Sequence, residues 1–347
     1  MKVAELLKNI GAGKLAPVYL ILGKEDYNAQ RISTAFIESM PEDQRTVNIG
    51  QYDMESVSLS DAIGDALSAP FFGDRRIVFI KHPYFLLAKN KKVKIEQNID
   101  ELINYLDNPE PTSVLVIFAP YDKLDERKKL SKRLLKKAVV VENGFLDEKN
   151  TRDYLKLLLK NKGYSIEPQA LEMLVRKTEA KLSLAMNELP KLMILAQKDK
   201  EITESMVAQM VAQTLEQNIF DLSDLVLNKQ SKKAIEMYHD LILQHEEPLK
   251  INAILLGQIR LLLQVNVLQK HGYDQGNIAS ALKVHPYRVK LALKKSRAVK
   301  RLELRNAYLG LVDLEEKMKS TQQDPTALFE LFMLGYFKEK RIQMKLS

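Results

Sequence analysis

Ser113-Val-Leu-Val-Ile-Phe118 is almost purely apolar and runs straight into Ala119-Pro120. Six residues is the length of a strand, and the lack of polar alternation predicts a strand covered on both faces. Working outward, similar runs recur at intervals that leave room for helices. Pro17-Val-Tyr-Leu-Ile-Leu-Gly23 reads as a strand ending in glycine, followed by a helix through Ile32 to Met40. Thr46-Val-Asn-Ile49 and Ile77-Val-Phe-Ile80 read as two more strands, and Ala138-Val-Val-Val141 as a last one before the Asn143-Gly144 turn. Strands separated by helices in this way predict a parallel sheet with helices on both sides. The intervening Lys89-Asn-Lys-Lys-Val-Lys94 run reads as a solvated loop or a helix start.

The pattern changes after Gly144. Residues 147–210 show helix signals and no convincing strand. Asn150 or Thr151 is the expected cap of a helix through Lys160, with Gly163 placed to end it. Helices are expected over Ala170–Lys177 and Leu182–Ala196, the second disturbed by Pro190, and from Thr203 onward. Everything beyond Thr214 reads as helical. Ile251–Gln269 is the expected central helix of a bundle, Gly272 and Gly276 mark a break, and Pro286 suits the first turn of another helix. Asp324-Pro-Thr-Ala-Leu-Phe-Glu-Leu-Phe-Met-Leu opens a final amphipathic helix. The domain reading is thus 1–142 α/β, 143–211 small and helical, and 212–347 a helical bundle.

Composition narrows the function classes. With no cysteine among 347 residues, disulfides, thiol nucleophiles and thiolate metal sites are excluded. The apolar share of 46% and charged share of 28% are those of a soluble globular protein, and a net charge of +8 permits nucleic-acid contact without demanding it. Met1-Lys-Val-Ala-Glu-Leu-Leu-Lys does not read as a signal peptide, and no uninterrupted apolar run reaches the length of a membrane span.

The first strand–glycine–helix unit lies where a nucleotide loop would lie. A phosphate loop needs glycines, a lysine and a hydroxyl. Here Gly23 is followed by Lys-Glu-Asp-Tyr-Asn-Ala-Gln, which puts acids where phosphate would go. Gly11-Ala-Gly13-Lys14 precedes the strand and has Leu15 in place of the hydroxyl. The second acidic element is missing as well, since Phe118 leads into Ala119-Pro120, and Asp122 reads as a turn residue or helix cap. The five histidines (His82, His239, His245, His271 and His285) lack metal-ligand spacing. Neither a metal, a cofactor nor an intrinsic active site is expected.

Two stretches are candidates for binding. In Leu67-Ser-Ala-Pro-Phe-Phe-Gly-Asp-Arg-Arg-Ile-Val-Phe-Ile80, a short helix over Ser60–Ser68 should stop before Pro70. Phe71 and Phe72 then fall on the connection between that helix and a buried strand. The rings either fill a gap beneath the loop or protrude as an apolar plug for a partner's pocket. The second stretch, Asn277–Arg297, has helix–turn–helix rhythm. It carries Arg288, Lys290, Lys294, Lys295 and Arg297, and Lys300 and Arg301 follow, with no acid from Arg288 to Arg301. That is either a phosphate-contacting recognition helix, with Arg288, Lys294, Lys295 and Arg297 as its contacts, or a solvated basic face of two packed helices.

Taken together, several segments resemble the delta-subunit family of bacterial DNA polymerase III clamp loaders over nearly the whole chain. They are Pro17-Val-Tyr-Leu-Ile-Leu-Gly23, Pro70-Phe-Phe-Gly-Asp-Arg-Arg76, Lys123-Leu-Asp-Glu-Arg-Lys-Lys129, Asn187-Glu-Leu-Pro-Lys-Leu192, Ile219-Phe-Asp-Leu222 and Val284-His-Pro-Tyr-Arg-Val-Lys290. Their order and spacing carry the match; Pro190 departs from the acidic residue expected there. The resemblance implies an AAA+-like module without ATPase activity, a helical lid and a helical collar. It implies a non-catalytic subunit of a nucleotidyltransferase complex in the cytoplasm, with no membrane partner. Its partners would be the sliding clamp (the beta subunit), the gamma/tau motor subunits, delta-prime and primed DNA. Pro70, Phe71 and Phe72 would bind the clamp and favour its open ring. Delta-prime itself is set aside because its Ser-Arg-Cys motif needs a cysteine. A helix–turn–helix DNA-binding protein using residues 288–301 is the alternative.

Overall fold

The computed structural model describes residues 1–88 and 95–343, with side chains described through Tyr336. The basic run at Lys89–Lys94 lies outside the described residues. The chain divides into two units, Met1–Leu146 with Lys181–Asn187, and Asp147–Ala180 with Glu188–Ser347.

The first unit runs α1 (Val3–Gly11), β1 (Val18–Leu22), α2 (Asp26–Glu38), α3 (Glu42–Asn48), β2 (Ile49–Asp53), α4 (Leu59–Ala66) and β3 (Arg76–Lys81). A 3₁₀ turn (Tyr84–Leu86), α5 (Ile99–Asp107), β4 (Ser113–Ala119), α6 (Lys129–Lys137) and β5 (Val139–Glu142) follow. All five strands of this sheet are parallel, in the order β2-β3-β4-β1-β5. Strand β4 sits at the centre, with Val116 opposite both Tyr19 and Phe79. Its apolar run is explained by a separate core on each face. Leu115 and Ile117 join Leu20, Val78, Ile80 and the buried residues of α4, α5 and α6. Val114 and Val116 join Tyr19, Ile77, Phe79, Ile32 and Phe36 on the other side.

One strand differs from expectation. Thr46–Asn48 is the last turn of α3, and β2 starts at Ile49, paired with Ile77. Pro41 ahead of Glu42 and Asp43 in the first turn favours a helix start, and the acids suit the positive end of its dipole.

The second unit comprises α7 (Glu148–Asn161), β6 (Ser165–Ile166), α8 (Pro168–Lys177), α9 (Leu182–Leu195, whose first residues belong to the other unit), β7 (Glu201–Ile202) and α10 (Glu204–Met210). The bundle α11 (Leu215–Leu227), α12 (Ser231–Leu243), α13 (Pro248–Lys270), α14 (Gln275–Leu282), α15 (Pro286–Ser296), α16 (Arg301–Ser320) and α17 (Pro325–Gln343) completes it. The cap of α7 is Asp147, whose carboxylate accepts from the Asn150 amide, and neither Asn150 nor Thr151 caps it. Helix α9 continues through Pro190. Strands β6 and β7 form a two-stranded parallel ladder where none was expected, because two residues are too few to show a period. Helix α10 begins after Thr203, whose hydroxyl caps it, and Pro286 opens α15 at its first turn; both helix starts are as expected.

Among the described residues α13 is the one helix long and apolar enough to cross a membrane. Its apolar side chains are accounted for inside the bundle: Ile251, Leu255, Ile259, Leu262 and Val265 are buried against α11, α15 and α16. Tyr238 of α12 stacks on Phe329 of α17, with ring centroids 4.0 Å apart.

Candidate functional site

Helix α4 is capped by Ser58, whose hydroxyl accepts from the Asp61 amide, and stops at Ala66, four residues before Pro70. The connection to β3 then turns outward. Phe71 and Phe72 are 56% and 82% exposed, and their rings meet edge to face at 4.5 Å. Leu67, on the same connection, and Val47, at the end of α3, are exposed as well, while Pro70 is half-buried. Phe79, seven residues on, is completely buried. Neither ring therefore fills a gap beneath the loop; both project toward solvent.

The loop that carries them is tied down at several points. The Asn48 carboxamide donates to the Phe71 carbonyl at 2.8 Å and accepts from the Phe71 amide at 2.6 Å. Phe72 sits in the left-handed region with φ 46°. A Cβ on Gly73 would lie 2.4 Å from the Gln44 side-chain oxygen of α3. At the loop's base the Arg76 guanidinium pairs with Asp65 of α4 and donates to the Val47 carbonyl at 3.3 Å. Asp65 packs so closely over β2 that a Cβ on Gly50 would sit 2.0 Å from its carboxylate. Burial, then the neighbouring Asp65 charge, pushes the Tyr52 hydroxyl up to about 12.

At the end of β1 the expected loss of a phosphate site has a structural counterpart. Gly23 has φ 136°, and a Cβ there would lie 2.1 Å from the Asn143 carbonyl carbon. Asn143 also ties the turn to β5: its carboxamide donates to the Glu25 carbonyl, and its own carbonyl accepts from the Glu25 amide, both at 3.0 Å. The Glu25 side chain is buried at the first turn of α2, where burial raises its carboxyl pKa. A phosphate would meet an acid and a closed backbone there, in place of free amides. Lys24 is drawn away to Asp122 at 2.5 Å; Asp122 lies at a bend after β4, as one of its two readings has it, and the helix that follows has Lys128 at its N-cap position. No group of three or more His, Asp or Glu among the described residues is placed to hold a metal.

The comparisons with known proteins agree along the chain. A family model described as "DNA polymerase III, delta subunit" matches residues 19–143, and one described as "DNA polymerase III delta subunit, C-terminal domain" matches residues 216–336. A third, described as a middle domain, matches residues 150–209. The DNA polymerase III subunit delta of Bacillus subtilis (strain 168) is 40% identical over 338 residues, 97% of either chain. This chain belongs to the DNA polymerase III delta subunit family. An Aquifex aeolicus (strain VF5) protein named "Probable DNA polymerase III subunit delta" is 26% identical over 264 residues, 74% of this chain and 73% of its own. The solved structure of the Bacillus subtilis DNA clamp loader delta protein matches with a TM-score of 0.75 at 39% identity. That match covers 97% of this chain and 99% of that one.

In this delta-family chain the helix–turn–helix reading of residues 277–297 is corrected. Ile278 and Ala279 of α14 and Val289 and Ala292 of α15 are buried in the same core as α13 and α16, so the rhythm is that of bundle packing. The four basic candidates on α15 and its C-terminal cap do not form one surface. Lys294 and Arg297 are exposed, and Arg288 is half-buried and donates to Gln258 at 3.1 Å. Lys295 is turned inward, its ammonium 3.8 Å from the Phe220 ring centroid, 2.8 Å from the Ser223 hydroxyl and 2.6 Å from Asp224. It is already spent on α11 and has no reach to a phosphate. Sequence reasoning missed Asn48 entirely, since nothing local to Val47-Asn48-Ile49 marks a partner 23 residues away.

Proposed function

We propose that this delta-family chain binds the sliding clamp through Pro70, Phe71 and Phe72, and holds the ring open so that a clamp loader can place it on primed DNA. The single observation behind this is a pair of adjacent aromatic rings, mostly solvent-exposed, on a loop whose backbone is hydrogen-bonded and ion-paired in place. Exposed rings on a restrained loop carry little folding energy and present a large apolar area at low entropic cost, which is the profile of an interface anchor. The chain itself supplies binding and no chemistry. Residues 1–142 act as the clamp-binding AAA+-like module, 143–211 as a helical lid, and 212–347 as a collar that joins the gamma/tau motor subunits and delta-prime. The setting is the cytoplasm. Lys294 and Arg297, exposed at the end of α15, are the remaining candidates for phosphate contact within the assembled loader.

The direct test is a titration of the intact protein with the sliding clamp from the same cell. Saturable binding that is blocked by a soluble peptide carrying the Leu67–Asp74 sequence supports the reading. Binding that the peptide leaves untouched counts against it.

A further inference from the structure

We infer that Asn48 is a positioning residue for the docking loop, which α3 holds in its binding shape before any partner arrives. The inference rests on the clamp-docking reading of Phe71 and Phe72 and adds the device that makes those rings effective. Asn48 is completely buried, yet its carboxamide has no strand or helix ladder to serve. It makes two bonds to the main chain of one residue, donating to the Phe71 carbonyl and accepting from the Phe71 amide. Two neighbouring peptide strands exchange the same pair of bonds in an antiparallel ladder, so the side chain acts as a strand of one residue for the loop. An ionised Asp would lose the donor, Gln would overreach by one methylene, and Ala would leave both Phe71 groups without this partner.

The surroundings argue for positioning over mere core filling. Gln44, one helical turn earlier on α3, packs under Gly73, and the Val47 carbonyl takes a bond from Arg76. Consecutive turns of α3 thus meet the loop's middle and its base, while the Asp65–Arg76 ion pair joins the end of α4 to the start of β3. Phe72 is held with positive φ, a conformation that a non-glycine residue keeps only when its surroundings impose it. A loop left free would have to find this shape on each encounter, and its apparent affinity would fall by the fraction of time spent elsewhere.

The test uses the full chain carrying Asn48→Asp, which preserves shape and volume, and Asn48→Ala. Three quantities are read: amide exchange over residues 69–74, the dissociation constant for the sliding clamp, and the same constant in a Phe72→Ala background. Positioning predicts exchange in the loop at least about tenfold faster, with strands β1, β3 and β4 unchanged. It also predicts clamp binding about tenfold weaker, and a loss that shrinks when Phe72 is already absent, since Asn48 acts through the rings. Unchanged loop exchange would overturn the inference. So would a mobile loop that binds the clamp within twofold of the unmodified protein, or a loss fully additive with Phe72→Ala. An Asn48→Asp protein that does not fold would assign the residue to the core and overturn it too. If Phe71→Ala, Phe72→Ala leaves clamp binding intact, the docking reading falls on its own, and the exchange measurement still decides whether Asn48 shapes the loop.

Discussion

Replacing Phe71 and Phe72 together by alanine separates binding from folding, because more than half of each residue's surface is exposed to solvent. Complete burial of a phenylalanine side chain is worth roughly 1.5–3 kcal/mol. With 82% of Phe72 and 56% of Phe71 still exposed, the area left for a partner to cover scales that to about 1.2–2.5 and 0.8–1.7 kcal/mol. The sum of about 2–4 kcal/mol corresponds to a dissociation constant weakened roughly 30- to 1,000-fold. In the free protein the substitution loses the portion of the rings already buried, about 1–2 kcal/mol on the same scale, together with their edge-to-face contact, and leaves Asn48, Gly73 and the Asp65–Arg76 pair in place. Truncating two buried rings would cost about 3–5 kcal/mol each. Calorimetric melting of the double variant beside a clamp titration reads both numbers. A melting temperature lowered by more than a few degrees, or clamp affinity within a factor of three of the unmodified protein, would refute the reasoning.

Four further outcomes follow from other parts of the molecule. Gly23→Ala should lower unfolding free energy in denaturant titrations by about 2 kcal/mol or more, since its Cβ would collide with the Asn143 backbone in a region where alanine is strained. Mixing the protein with ATP and magnesium in a calorimeter should give no saturable heat, because Glu25 and the closed Gly23–Asn143 joint stand where phosphates would bind. Leu331→Glu with Leu334→Glu, at exposed positions of α17, should abolish co-purification with the motor subunits while leaving the clamp dissociation constant unchanged. Burial pushes the Lys295 ammonium down to about 7 despite the carboxylates of Asp221 and Asp224. The unfolded chain therefore holds more protons between pH 7 and about 10.4, and the native protein should gain stability relative to Lys295→Met as pH rises through that window, by at most about 1.4 kcal/mol per unit. A difference that stays flat from pH 7 to 10 would mean the ion pair keeps the proton.

The amino-acid order by itself determined those features whose physical cause is local. The apolar runs at Val18–Leu22, Ile77–Ile80 and Val114–Phe118 are strands because both faces of a parallel sheet exclude water, and each residue carries that signal without reference to a partner. Thr203 as a cap, Pro286 at a first turn and the end of α4 before Pro70 are likewise set within a few residues. The same locality made Phe71 and Phe72 candidates, since a turn signal beside two rings is visible in the chain. Tertiary structure decided what depends on distant neighbours. Thr46–Asn48 has strand-like composition, yet it closes a helix. Lys295 belongs to a basic run that reads as a DNA face, but the bundle rotates it onto Phe220 and Asp224. Asn48 is an unremarkable polar residue until the fold brings the Phe71 peptide within hydrogen-bond reach. Periodicity reports which side of an element is apolar; which polar group will face which other one is fixed only when the elements pack, because a hydrogen bond needs its partner within about 3 Å and the sequence between them says nothing about that distance.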